Sequence, residues 1–121
     1  MLEQKIYHIF SPLQTDKDIF QKGIQLFNDG EFFECHEVFE KIWLNDLSKD
    51  RLFHQGLIQV AAGFHHARKG RIGPAGKMIQ KALEKLASYP EVHGGIRLAH
   101  LRREVREWKP GRPFPKIESE A

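Results

Sequence analysis

Two stretches of this chain, forty residues apart, carry one pattern. GIQLFNDGEFFECHEVFEKIW, from Gly23, aligns without gaps on GFHHARKGRIGPAGKMIQKAL, from Gly63. Gly30 falls on Gly70, Phe32 on Ile72 and Cys35 on Ala75. The shared pattern is a glycine, any residue, a large apolar residue, two of any kind and then a small one. Tetratricopeptide-like helical hairpins use it, because the glycine permits the turn and the small residue lets two helices approach. Two units are too few for a solenoid, so a single helical bundle is expected.

Hydrophobic spacing predicts five helices with short links. The first runs from about Asp16 to Asn28, with Thr15 or Asp16 as N-cap and Gly30 as stop signal. The second runs from about Glu31 to Asn45, and the third from about Lys49 to Lys69, ending at Gly70. The fourth runs from about Gly73 to Ala87, with Pro74 in its first turn and Pro90 closing it. The fifth runs from about Gly95 to Trp108, with Leu98, Leu101, Val105 and Trp108 on one stripe. No strand-like alternation competes, so the expected class is all-α, built around an antiparallel pair of the second and third helices. Residues 1–15 are then an N-terminal extension and 16–108 the helical domain. Residues 109–121, KPGRPFPKIESEA, are expected to be extended or disordered.

A chain of 121 residues can bury one core but not two. No run of about 18 apolar residues exists to span a membrane. The start, MLEQKIYHIFSPLQ, has no apolar h-region of a signal peptide. The lone cysteine, Cys35, cannot form an internal disulfide, so the reducing cytoplasm is the expected compartment. A net charge of +3 does not by itself imply nucleic acid. The distribution says more. Residues 28–50 are acidic, with Glu31, Glu34, Glu37 and Glu40 among their carboxylates, whereas Arg97, Arg102, Arg103, Arg106, Lys109, Arg112 and Lys116 make the end basic. The two segments can attract each other within one chain or between two copies, so a homo-oligomer or a protein partner is an open expectation.

The second helix carries chemistry at its middle. On a helical wheel Phe32, Cys35, Phe39, Ile42 and Trp43 form an apolar stripe, with His36 at its border and Glu40 one turn on. Glu37 is read as lying further toward solvent, beside Phe33. On the third helix Gln55, Gln59 and His66 fall on one narrow strip, with Arg51 and His65 on its flank. Glutamines on a largely buried helix need partners, and the His36–Glu40 edge is the natural one. The candidate cluster is therefore His36, Glu40, Gln55, Gln59 and His66, with Glu37 and Arg51 as outer members. Three readings stay open: a polar network that fixes helix register, a small-molecule or anion pocket, and a divalent-metal site at His36, Glu40 and His66. The string is His-Glu-any-any-Glu, so the zincin helix motif is absent. Cys35 reads as a buried hydrophobe, Trp43 and Trp108 as core anchors, and His8, His54, His93 and His100 as surface residues.

FNDGEFFECHEVFEKIW, HQGLIQVAAGFHHARKG, GRIGPAGKMIQKAL and a later GI-x4-L together resemble the domain-of-unknown-function family numbered 309, over about residues 20–105. The resemblance implies a small all-helical prokaryotic domain, and it lends no activity. The family's motif matches at His36, Glu37, Glu40, Trp43, Gln55, Gln59, His66 and Gly70. Where the family has an asparagine after the third-helix glycine, this chain has Arg71. The expected function is a binding or scaffold module with a polar inter-helix site. The alternatives are a hydrolase with Glu37 or Glu40 as general base, with or without a metal, and a weak nucleic-acid binder acting through the basic end.

Overall fold

The computed structural model describes residues 15–120. Helix α1 spans Asp16–Asn28, α2 Phe32–Leu44, α3 Arg51–Arg68 and α4 Ile72–Leu86. A short hairpin then pairs β1, Val92–His93, with β2, Ile96–Arg97, and α5 spans Leu98–Glu107. The class is all-α, as the spacing predicts. The N-terminal extension and His8 lie outside the described residues. Among the described residues no helix is long and apolar enough to cross a membrane.

Each boundary has a local cause. Thr15 accepts the Asp18 N–H at 3.1 Å while the Asp18 carboxylate accepts the Thr15 N–H at 3.3 Å, a capping box that starts α1. The fifth helix starts later than expected because Gly94 and Gly95, at φ +61 and +76, make a tight turn that no helix can contain. That turn closes the hairpin, whose two-residue strands are too short to leave an alternation in the sequence.

The forty-residue repeat is written in the backbone. Gly30 and Gly70 sit at φ +79 and +78. Gly30 N–H bonds Phe27 O at 3.0 Å, and Gly70 N–H bonds Ala67 O at 3.0 Å. Glu31 N–H then reaches back to Leu26 O at 2.8 Å, and Arg71 N–H to His66 O at 2.9 Å. One glycine-dependent turn thus closes α1 onto α2 and α3 onto α4, and satisfies carbonyls at the helix ends. The close approaches repeat as well. A Cβ on Gly23 would meet the Phe39 ring, and one on Gly63 would meet Ile79, the residue forty positions beyond Phe39. Cys35 and Ala75 are both buried at the matching positions. Helix α5 also packs against α4, over a much smaller area than α3 covers on α2.

Packing is aromatic. Phe27, Phe32, Phe39, Phe53 and Phe64 are fully buried. Phe32 lies 5.2 Å from Phe27 and 5.5 Å from Phe64, ring to ring, which joins the two hairpins. The C-terminal segment is extended, and it packs against the helices. Phe114 stacks on Trp108 at 5.2 Å and meets the edge of Phe32 at 5.0 Å. Ile117 is buried, and its backbone N–H and C=O are both bonded by the Asn28 amide, at 2.7 and 2.9 Å. Glu120 N–H bonds Gly95 O at 2.9 Å.

Candidate functional site

Helices α2 and α3 run antiparallel, and two contacts fix their register. The Phe33 ring lies 5.4 Å from that of His65 at one end. At the other, the Arg51 guanidinium lies 4.2 Å from the Trp43 ring centroid. Between these ends the antiparallel register runs Glu37 and Glu40 of α2 past Gln59 and Gln55 of α3. The two helices that carry the polar strips thus pack side by side, and the surface between them is the candidate groove.

Within the groove His36 Nε2 and Glu40 Oε2 are 3.2 Å apart, one helical turn along α2. Glu40 is 44% exposed and His36 28%. Glu37 departs from the wheel's reading. Its Oε1 is buried and has no hydrogen-bond partner, and the same holds for Gln59 Oε1 and Trp43 Nε1. The wheel treats α2 as buried along one stripe, whereas α1 covers one of its sides and α3 another. Glu40, read as the inner carboxylate, is therefore the wetter one.

Other members of the cluster are spent elsewhere. Arg51 donates to Trp43 O at 2.8 Å and to Asp46 O at 3.0 Å, so it caps the C-terminal end of α2 and is not a member of the polar network. His66 Nδ1 accepts from Arg71 Nε at 3.0 Å, so Arg71 engages it at the end of α3. The His65 imidazole titrates below its ordinary range, first because it is desolvated and then because Lys69, Arg71, His66 and His36 are near it. Gln55 is half-buried on α3. The metal set of His36, Glu40 and His66 does not converge: among the described residues no three His, Cys, Asp or Glu side chains are grouped so as to hold a metal ion. His36 and Glu40 close on each other along α2, and His66 turns to Arg71 at the far end of α3.

A second polar group was invisible to helical spacing. His54 and His93, read as surface residues, are half-buried and bonded to carboxylates of the α2–α3 link. His54 Nδ1 is 2.8 Å from Asp46 Oδ2, and His93 Nε2 is 2.9 Å from Asp50 Oδ1. Tyr89 adds to the clamp, donating to Lys49 O at 2.7 Å and accepting the Phe53 N–H at 3.0 Å. Asp46 is held below the usual carboxylate range by hydrogen bonds from Ser48, with His54 adding to them. Beside it lies a cavity of about 400 Å³ whose lining includes Lys41, Asp46, Phe53 and His54. His100 is also half-buried, 3.7 Å from Glu118. Its neighbours on α5 and β2 are engaged with backbone and tail: Arg102 donates to Leu86 O and Tyr89 O, both at 3.0 Å, and Arg97 pairs with Glu118. Cys35 is fully buried, and burial pushes its thiol pKa up, so it is a packing residue and not a nucleophile.

The model of the family described as a domain of unknown function (DUF309) matches residues 20–78, which cover α1 after its first turn, α2, α3 and the start of α4. An uncharacterized protein of Aquifex aeolicus (strain VF5) is 24% identical over 96 residues, 78% of this chain and 29% of that protein. The uncharacterized protein YpuF of Bacillus subtilis (strain 168) is 29% identical over 73 residues, 60% of this chain and 42% of that protein. The chain thus spans less than half the length of these relatives.

Proposed function

With residues 20–78 taken as a DUF309 domain, we propose that the chain is a cytoplasmic binding module whose α2–α3 groove receives a hydrogen-bond-donating cation, an amine or a guanidine. One observation carries the reading. Glu37 Oε1 and Gln59 Oε1 are buried acceptors without partners, one on each of the two packed helices. Each such atom costs about 1–3 kcal/mol while unpaired, so a ligand that donates to both recovers that cost on binding. Glu40, at the wet side of the groove, adds negative charge. The Phe33 ring, 39% exposed, offers a face to a cation. Trp43 Nε1 is a free donor for an acceptor on the same ligand. The nucleic-acid alternative has less to work with, because Arg97 and Arg102 are engaged by the chain's own acceptors.

Calorimetric titration of the full chain with agmatine and putrescine tests this. Saturable binding that weakens about tenfold or more in Glu37→Gln and in Gln59→Met is expected, the loss of one charge-assisted or one neutral bond respectively. If neither amine binds the unaltered chain, the groove is a packing feature and the reading fails.

A further inference from the structure

We propose that the cleft between α4 and α5 is a second binding site, for a small aromatic carboxylate. The cleft encloses about 260 Å³, and Ile72, Gly76, Ile79, Leu83, Val105 and Trp108 supply its apolar walls. Gln80 and Arg106 are polar residues of its lining. By the forty-residue offset of the sequence, this cleft answers to the groove between α2 and α3. Forty residues beyond Phe33 and His36 stand Gly73 and Gly76, and forty beyond His66 stands Arg106. In the first groove the Phe33 and His36 rings lie 5.9 Å apart, and the Phe33 ring reaches over to His65. In the second, a Cβ placed on Gly73 or Gly76 would have nothing within 4 Å. Gly76 lines the cleft and has no side chain where the first half of the repeat carries the His36 ring, so a flat ring is a shape that fills it. Trp108 offers an aromatic wall against such a ring.

Arg106 sets the charge of the ligand. It is exposed, and it makes no hydrogen bond or ion pair among the described residues. A guanidinium fork matches a carboxylate in two parallel hydrogen bonds, which fixes both the sign and the geometry of the ligand's head. Ring and carboxylate must be close together, because the cleft is small and Arg106 is part of its wall. Phenylacetate and 3-phenylpropionate have this form.

The test titrates the full chain with 3-phenylpropionate, its primary amide and hexanoate, followed by tryptophan fluorescence and by ligand-observed NMR. The acid should saturate, with the amide and hexanoate each about tenfold weaker or more. Arg106→Gln should weaken the acid to the level of the amide. Gly76→Leu should abolish binding by filling the cleft, with a thermal midpoint no lower than that of the unaltered chain. The proposal is overturned if the acid gives no saturable signal, if acid and amide bind alike, if hexanoate binds as well as the aromatic acid, or if Gly76→Leu binds as before. Arg106→Gln changes an exposed side chain, so it keeps the question answerable should Gly76→Leu fail to fold.

Discussion

Two helical glycines, Gly23 on α1 and Gly76 on α4, make opposite predictions. Replacing a helical glycine with alanine removes backbone freedom from the unfolded chain and favours the helix by about 0.5–1 kcal/mol. At Gly76 the new methyl meets nothing within 4 Å. Gly76→Ala should therefore show the whole gain, a rise in midpoint of a few degrees at most. At Gly23 the same methyl would lie 2.4 Å from Phe39 Cε1, 2.8 Å from Cδ1 and 3.0 Å from Cζ. The Phe39 ring is fully buried and packs 5.4 Å from Phe20, so it has no open side to swing toward. Overpacking of this kind costs about 1–3 kcal/mol, more than the helix gains, and Gly23→Ala should lose up to about 2 kcal/mol net. Guanidinium-chloride unfolding measures both changes, provided the slopes match that of the unaltered chain. A Gly23→Ala variant clearly more stable than the parent would refute the close α1–α2 approach on which the hairpin description rests. A Gly76→Ala variant that loses stability would refute the open space on α4.

Three further outcomes follow from the same geometry. Arg51→Ala should cost about 1–3 kcal/mol, because it removes two carbonyl partners at the end of α2 and the stacking on Trp43; Arg51→Lys should recover less than half, since an ammonium cannot fork, and urea unfolding reports both. His65 titrates below its ordinary value of 6.5, so the unfolded chain binds its proton first; stability from this group is present above that value and is lost as pH falls through 6.5 toward the folded pKa. A His65→Gln variant should show a flatter stability profile across that window, and an unchanged slope would contradict the desolvated placement beside Phe33. Ile117→Ala should cost about 2–5 kcal/mol if the tail is packed as described, whereas a free tail would lose nothing; thermal unfolding decides between them.

The parts of this fold that were legible in the sequence are those with a local cause. Gly30 and Gly70 mark turns because only glycine adopts their backbone angles without strain, and the helices between them follow from apolar spacing. Periodicity put Gln59 on α3 and Glu40 on α2, the two helices that pack together. Periodicity could not rank Glu37 against Glu40, because it does not know that α2 has neighbours on two sides. Nor could it see the partners of His54 and His93, which both come from the α2–α3 link; His93 and Asp50 are forty-three residues apart. Arg51 looked like a member of the polar strip because the strip's phase is right, but the carbonyls at the end of α2 reach it first. Proline and charge made the tail resemble a disordered segment. Two apolar residues, Phe114 and Ile117, anchor it, and composition does not weigh two residues against thirteen.

The unpaired acceptors in the α2–α3 groove are the centre of this account, and the unfolding free energy of Gln59→Met tests them most directly. Methionine keeps the length of the side chain and removes the buried oxygen that has no partner. The account predicts a gain of about 1–3 kcal/mol without ligand, the cost of one unsatisfied buried polar group relieved. A loss of that size would mean that Gln59 is already bonded within the folded chain, and that the groove is a finished structural network with nothing left to bind.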